Sequence, residues 1–231
     1  MRIKSVLVVF CVILVCVLSL IYTHSVAMHC EALHTKSVRL LIDAGHGGTD
    51  NGASAFDGTL EDEINLSISL QMYDLLRFCG FLVNMTRTED TAVTDNAAEL
   101  SRSWKTNDMY ARLRQYDNAT LTVSIHQNHF SQAKYYGTQV FYGTKHRDSQ
   151  LLADCIQKQV VSQIQPKNTR SIKAAGENIF LLHRTTQPAV IVECGFLSNV
   201  NETKKLKDPQ YQQQMAFAVG CGVLEYITTK G

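Results

Sequence analysis

The sequence predicts a single α/β domain in which a mostly parallel, twisted sheet of about six strands is covered by helices on both faces. Two observations support this prediction. Short apolar runs rich in β-branched residues alternate along the chain with longer segments whose apolar residues recur at helical spacing. The chain has 231 residues and is 45% hydrophobic, which suits one domain with an ordinary core. Strands that alternate with helices form sheets with helices packed on each face.

Six short apolar segments have the length and composition of strands. They are VRLLID (38–43), FLVNMT (81–86), TLTVSIH (120–126), TQVFYG (138–143), IFLLH (179–183) and AVIVE (189–193). Helical spacing predicts four longer elements between and after them. These helices cover residues 61–80, a segment around 109–116, residues 149–164 and a closing helix that begins at Asp208 and Pro209. The long polar stretch 88–108 is expected to be a surface loop beside the functional site.

The first 30 residues differ in composition from the rest, and we expect the functional domain to cover residues 36–231. Arg2 and Lys4 precede an apolar run at 5–22 that contains no charged residue. The length of this run lies between that of a signal peptide and that of a membrane-spanning helix. Residues 25–27 (SVA) resemble a cleavage site. Residues 1–30 are therefore predicted to be a signal peptide or a membrane anchor, and either would export the domain to the cell envelope.

Charge and cysteine content narrow the class of function. The formal net charge is +1, and removal of the two cations near the start leaves −1, so neither form indicates a nucleic-acid partner. Seven cysteines in an exported protein would ordinarily suggest disulfides. However, Cys11 and Cys16 lie in the apolar run, and no pair has a C-x-x-C spacing. Free, buried thiols are therefore favoured over a disulfide framework or a cysteine zinc site.

Ionisable residues occur at the ends of three predicted strands, where an open α/β sheet binds its ligands. The first strand leads into the glycine-rich loop that contains His46, and two later strands end in His126 and Glu193. Glu61 begins the first helix after the same loop. Two histidines and one carboxylate, with a fourth position open, make a catalytic zinc site, and a further glutamate can act as the base for an attacking water. The pattern therefore predicts a zinc hydrolase.

Each of these residues also has a simpler structural explanation. His46 would be a phosphate contact or a turn residue. Glu61 would only favour the helix dipole, within a capping box at residues 59–62, and His126 would be a hydrogen-bonded core histidine. Glu193 is harder to explain in this way, because a buried and unpaired carboxylate is costly. Five further histidines are expected on the surface or in loops: His29, His34, His129, His146 and His183.

Several motifs, taken together and in order, resemble the zinc-dependent N-acetylmuramoyl-L-alanine amidases of bacterial cell-wall turnover. They are IDAGHGGTDNGA, LEDEINLSISL followed by MTR, then ARLRQYDNA, SIHQN and PAVIVECGFLSN, and they extend over residues 38–226. The resemblance implies that His46, Glu61 and His126 bind zinc and that Glu193 is the catalytic glutamate. Some members of this family need a protein partner to bind zinc or to open their site. The short chain behind one apolar segment resembles the spore-cortex, germination-specific subgroup.

Three departures from the family pattern concern residues beside the site. Asp62 follows Glu61 where the family usually has a basic residue. Gln127 and His129 stand where smaller residues are common, so His129 is a candidate for an additional site residue. None of these differences removes a residue that the resemblance implies as a ligand.

The resemblance implies cleavage of the amide bond between N-acetylmuramic acid and L-alanine of the peptidoglycan stem peptide. The sequence also allows two alternatives. One is a non-catalytic peptidoglycan-binding protein on the same fold, and the other is a zinc peptidase that cuts within the stem peptide. The presence of all four polar site residues favours an enzyme over a binding protein, because binding alone does not need them.

Overall fold

The computed structural model describes Val15, Val17 and residues 38–93 and 103–230. The chain divides into two compact units, Met1–Ser37 and Val38–Gly231, and the fold described below is that of the second. Most of the predicted signal or anchor segment, and residues 94–102 of the predicted polar loop, lie outside the described residues. Within the described part, none of the helices is both long enough and apolar enough to cross a membrane.

One six-stranded sheet forms the centre of the domain. Its strands are β1 (Arg39–Ala44), β2 (Leu82–Met85), β3 (Leu121–Asn128), β4 (Gln139–Tyr142), β5 (Lys173–Ala174) and β6 (Ala189–Phe196). They lie in the order β2-β1-β3-β6-β4-β5. Strands β2, β1, β3 and β6 are mutually parallel, whereas β4 runs antiparallel to β6. The predicted mostly parallel sheet is thus confirmed, and the carboxyl ends of β1, β3 and β6 meet along one edge.

Helices cover both faces of this sheet. They are α1 (Glu61–Phe78), α2 (Trp104–Asn118), α3 (Asp148–Gln163), α4 (Phe180–Arg184), α5 (Val200–Leu206) and α6 (Pro209–Lys230). Helix α6 packs against α1 and α3, whereas α2 packs against α4. Leu41 and Ile191 point into a cluster with Tyr116 of α2 and Leu182 of α4. Because side chains alternate along a strand, the neighbouring buried residue Ile42 faces the other layer.

Two further features agree with the sequence analysis. Helix α1 ends where Gly80 adopts a φ of 86°, a conformation that glycine adopts without strain. Cys155 and Cys194 are buried free thiols, as predicted.

In the packing of α6 on α3, a Cβ on Gly222 would overlap the Cα of Ile156, so the two helices approach closely only because residue 222 is glycine.

Several predicted elements need correction. The strand predicted at 179–183 is wrong, because this segment forms helix α4. Five apolar residues fit a buried strand and a short buried helix equally well. In the structure, the Ile179 amide donates a hydrogen bond to the Gly176 carbonyl oxygen, and this turn starts the helix. The edge strand β5 and helix α5 were not predicted. In α5 the side chain of Asn199 accepts hydrogen bonds from the amides of Asn201 and Glu202, which stabilises the first turn.

Two expectations about helix starts also differ from the structure. The capping box at residues 59–62 is not formed: α1 has no side-chain cap among the described residues, and the Thr59 hydroxyl donates to Asp57 instead. Helix α2 begins at Trp104, so the end of the predicted loop 88–108 is helical. Ser103 caps this helix by accepting a hydrogen bond from the amide of Thr106.

Candidate metal centre and catalytic site

Three side chains predicted from the sequence come together at the carboxyl edge of the sheet. His46 lies in the loop after β1, Glu61 is the first residue of α1, and His126 lies on β3. One ligand atom from each residue lies within 4.8 Å of the other two, so the group could hold a metal ion. Oε1 of Glu61 is 2.9 Å from Nδ1 of His126 and 3.3 Å from Nε2 of His46. Glu61 is buried and the two histidines are partly exposed, which leaves one side of the group open.

The glycine-rich loop is required because the site side chains pack directly on its backbone. A Cβ added to Gly45 would overlap the His126 ring, and one added to Gly52 would lie 2.6 Å from Oε2 of Glu61. His46 itself has a φ of 60°, the left-handed conformation that non-glycine residues adopt at a cost of roughly 1–2 kcal/mol. Strain of this kind at a candidate ligand is typical of a functional site.

Glu61 is held as an anion by the groups around it. Its Oε2 accepts a hydrogen bond from the Ala53 amide at 2.8 Å, and its Oε1 accepts one from the Gln127 amide at 3.1 Å. Burial alone would raise the pKa of this carboxyl, but the two neighbouring imidazoles outweigh burial and hold the pKa far below its usual range. A buried carboxylate between two imidazoles suits a divalent cation.

His46 is oriented from both sides of its ring. Nε2 faces Glu61, and Nδ1 lies 3.2 Å from Oδ2 of Asp50, which also pairs with Nζ of Lys105 at 3.2 Å. Burial would lower the pKa of His46, but the two carboxylates outweigh it and raise the pKa to about 9. A metal ion must therefore displace a proton to bind this ring at neutral pH. Metal-binding histidines commonly donate their second ring N–H to a carboxylate, as His46 does to Asp50, and this contact fixes the orientation of the ring.

Glu193 lies beside this group but is not part of it. It pairs in register with His126 on the adjacent strand. Its Oε2 is buried and has no hydrogen-bond partner in the described part of the chain. Burial raises the pKa of Glu193 to about 7; the negative charge of Glu61 adds to the increase, and the two histidines oppose it. A carboxyl group with a pKa near neutrality is suited to act as a general base.

Asp43 and two arginines form a supporting network that sequence reasoning did not assign. Oδ1 of Asp43 accepts hydrogen bonds from Thr86 and Arg112, and Oδ2 accepts them from Tyr116 and Ser124. Arg112 also donates to the carbonyl oxygens of Ala44 and His46, at 2.9 and 2.6 Å. The network therefore fixes the backbone of the loop that contains His46.

Arg87 holds the same loop from its other side. It donates to the carbonyl oxygens of Ala44, Gly45 and Asp62 at 2.9–3.1 Å. Asn65, one turn after Glu61, donates to Oε1 of Glu61 and to the Gly45 carbonyl oxygen. Both arginines occur in the motifs MTR and ARLRQYDNA, but their positions alone did not reveal that they are buried.

The other candidate residues lie away from the three-residue group. Gln127 is buried, and its side-chain amide donates to Asn65, which in turn donates to Glu61. Gln127 therefore holds Glu61 in place indirectly. His129 is exposed, as expected for a loop residue. Among the described residues, the group that could bind a metal consists of His46, Glu61 and His126 and does not include His129. Asp62 is buried, and its backbone carbonyl accepts the hydrogen bond from Arg87.

The sheet carries two histidines and a buried carboxylate at its carboxyl edge, next to a second, partly exposed glutamate. These are the features of a metal-dependent hydrolase. Residues 40–225 match the sequence profile of N-acetylmuramoyl-L-alanine amidases. The chain belongs to this family, and it is therefore an enzyme that hydrolyses the amide bond between N-acetylmuramic acid and L-alanine in peptidoglycan.

Individual relatives agree with this assignment. The germination-specific N-acetylmuramoyl-L-alanine amidase of Bacillus subtilis is 32% identical over 194 residues, which cover 83% of this chain and 81% of the relative. The CwlD amidase from Clostridioides difficile, solved in complex with the GerS lipoprotein, has 37% identity and a TM-score of 0.77, covering 83% of this chain and 99% of that chain. The amidase AmiC2 of Nostoc punctiforme has 26% identity and a TM-score of 0.71, covering 84% and 98%.

Proposed function

We propose that this enzyme is zinc-dependent, with His46, Glu61 and His126 as the zinc ligands and Glu193 as the general base. The observation that supports this most strongly is the convergence of the three ligand atoms within 4.8 Å, next to a glutamate with one buried oxygen that has no partner among the described residues. Two imidazoles and one carboxylate are a common ligand set of catalytic zinc, which keeps a further position for water or substrate. The residues present therefore fit this metal.

In this proposal each residue of the chain has a separate role. When bound, zinc would polarise the lactyl carbonyl of muramic acid and acidify water. Glu193 takes the proton from the attacking water and returns it to the α-amino group of L-alanine as that group leaves. The C–N bond breaks, and the products are a glycan strand with a free lactyl carboxylate and a stem peptide with a free amino terminus.

The neighbouring residues would prepare this chemistry without touching the substrate. Asp50 accepts from His46 Nδ1 and so directs Nε2 towards the metal. Asn65 and the Gln127 amide hydrogen-bond Glu61 and hold its carboxylate in one orientation. Glu193 as a whole is partly exposed, which leaves the base accessible to water.

Mass spectrometry of digested peptidoglycan tests the proposed reaction against its two alternatives. Zinc-loaded protein should release complete stem peptides that begin with L-alanine, and Glu193→Gln serves as the matched inactive control. Shortened stems would indicate a peptidase that cuts within the peptide. Binding to peptidoglycan without any released product, although zinc is bound, would indicate a non-catalytic binding protein.

We also propose where the enzyme acts and with what. Residues 1–30 would be a signal peptide or a membrane anchor that exports a catalytic domain at 36–231 to the cell envelope. The germination-specific relative suggests a role in the spore cortex, and the complex of CwlD with GerS suggests an activating protein partner. Cortex from spores that lack this gene should then contain uncleaved stem peptides. Normal cortex composition would argue for a role in the vegetative wall.

A further inference from the structure

An exposed apolar turn lies at the end of the domain opposite the catalytic site. Residues 77–82 (RFCGFL) connect α1 to β2, and Phe78 and Leu82 have relative exposures of 90% and 65%. Phe81, between them, is buried, and its amide donates to the Leu76 carbonyl. The turn is thus anchored by one aromatic residue while it presents two large apolar side chains to solvent.

The position of this turn follows from the parallel sheet. Leu82 begins β2 and pairs in register with Arg39, the first residue of β1. Both lie at the amino ends of the strands, whereas His126 and Glu193 lie near the carboxyl ends. Helix α1 has 18 residues and is therefore about 27 Å long. Because α1 begins at Glu61 and ends at Phe78, it spans the distance from the site to the turn.

We call the end of the domain that carries Phe78 and Leu82 the pole. Basic residues outnumber acidic residues around it. Strand β4 runs antiparallel to β6 and ends here, so the segment that follows it also lies at this pole. Lys230, the last residue of α6, reaches Asp148 of that segment at 2.6 Å. Arg147 lies 3.6 Å from the same aspartate. At or beside the element ends that reach this pole, the cations are Arg39, Arg77, Lys145, Arg147, Arg184 and Lys230, and the anions are Asp74, Asp117, Asp148 and Glu177.

We propose that this pole is a membrane-contact surface, in which Phe78 and Leu82 enter the interface of the bilayer and the surrounding cations face anionic lipid headgroups. Apolar side chains combined with basic residues are the usual features of an interfacial membrane contact. Two apolar side chains are too few for a stable protein interface, which needs about 800 Å² from each partner.

The connectivity of the chain supports a lipid bilayer as the partner that contacts this surface. The apolar run at 5–22 is followed by residues 23–38, and the chain then enters the domain at Arg39, at this same pole. This inference rests on the proposed export of the domain to the outer face of the membrane. A membrane at this pole leaves the catalytic site, at the opposite end of α1, directed towards the peptidoglycan.

Quenching of tryptophan fluorescence by brominated lipids tests the inference in the full chain. Trp104 is the single tryptophan of the sequence, so Trp104→Phe provides a silent background. In this background, Phe78→Trp should lose emission in vesicles of phosphatidylcholine and phosphatidylglycerol with brominated acyl chains, and its emission should shift to shorter wavelength. Phe130→Trp is the matched control, because Phe130 is 48% exposed and follows the carboxyl end of β3. Its emission should not change.

Equal quenching at positions 78 and 130, or no quenching at position 78, would overturn the proposal. Leu82→Trp repeats the measurement if Phe78→Trp does not fold. Adding Arg77→Glu to the Phe78→Trp variant should reduce quenching in vesicles that contain phosphatidylglycerol, and unchanged quenching would contradict the role of the cations. These readouts do not depend on catalysis. Quenching of Phe78→Trp would therefore support the membrane contact even in a protein that proves inactive, and activity without quenching would refute the membrane contact alone.

Discussion

Arg112 and Asp43 form a buried ion pair at the carboxyl end of β1, with Nη1 of the arginine 2.5 Å from Oδ1 of the aspartate. The same guanidinium donates to the carbonyl oxygen of His46 at 2.6 Å. A single side chain on α2 therefore connects a buried carboxylate of the sheet to the backbone of a candidate metal ligand. Burial opposes ionisation of Asp43, but Arg112 and the surrounding hydroxyls outweigh it and hold the pKa of this carboxyl below its usual range.

Arg112→Ala should therefore lower the free energy of unfolding strongly. Removing one partner leaves the Asp43 charge buried, which costs roughly 3–5 kcal/mol. Urea denaturation at pH 7 measures the loss. Arg77→Ala is the control, because Arg77 is exposed and such changes usually stay within about 0.5 kcal/mol. Similar stabilities of the two variants would show that the ion pair contributes little to the fold.

The proposed ligands can be tested by metal content. His46→Ala and His126→Ala should each lose zinc from the folded protein, because two donors hold the ion far less tightly than three. Zinc is measured by elemental analysis of the purified variants and compared with the wild type. His129→Ala is the matched control, since His129 is exposed and lies outside the group. Stoichiometric zinc in both ligand variants would refute the assignment.

A single added methyl group in the glycine loop should also weaken metal binding. Gly45→Ala would place a Cβ on top of the His126 ring, so the ring must move away from the position that it shares with Glu61. Zinc affinity, measured by competition with a chelator, should fall while the far-ultraviolet circular dichroism spectrum stays native. In Gly220→Ala, on helix α6, the new Cβ would meet only the end of the flexible Leu75 side chain, so this control should keep its zinc affinity. Equal affinities would show that the loop adapts without displacing His126.

Local patterns were sufficient to predict most of the sheet and the meeting of His46, Glu61 and His126 at its carboxyl edge. Strands such as 120–126 are continuous apolar runs, and His126 and Glu193 stand at their ends, where a parallel sheet gathers functional groups. Strand β5 has only two residues and gave no such pattern. Segment 179–183 is a second exception, because five apolar residues fit a strand or a helix equally well and only the preceding turn decides.

The supporting network was not predictable from local patterns, because its contacts join distant parts of the chain. Arg112 and Asp43 are 69 residues apart, and Arg112 lies on a helix whose pattern suggests only an amphipathic surface element. Asp50 looks like an ordinary turn residue until the loop folds back and brings its carboxylate to His46. Such roles depend on tertiary structure, which single-sequence periodicity does not contain.

The raised pKa of Glu193 predicts a characteristic pH dependence of stability in zinc-free protein. A carboxyl group whose pKa rises on folding stabilises the fold below the pKa of the unfolded chain, and this stability is lost as the pH rises through the folded value of about 7. Wild-type protein should thus lose stability between about pH 5 and pH 8, by roughly 3 kcal/mol. Glu193→Gln cannot ionise there and should show a flatter profile in urea denaturation. Parallel profiles would mean that Glu193 ionises normally in the fold.

The two glutamates should respond differently to the same substitution. Glu193→Gln keeps the shape and nearly the volume of the side chain but removes the proton acceptor, so turnover of peptidoglycan should fall by roughly 10²- to 10⁴-fold. Zinc should stay bound, because His46, Glu61 and His126 remain. Glu61→Gln should reduce both zinc content and activity, since a neutral amide oxygen is a poorer ligand for a dication.

Both variants therefore need two measurements, bound zinc and stem peptides released from peptidoglycan. Loss of zinc in Glu193→Gln together with retained zinc in Glu61→Gln would mean that the two carboxylates have the opposite roles. Full activity of both variants would move the catalytic site elsewhere in the domain. The expected result, an inactive but zinc-loaded Glu193→Gln and a zinc-poor Glu61→Gln, follows from their surroundings. Glu61 lies against two imidazoles, whereas Glu193 keeps one buried oxygen without a partner among the described residues.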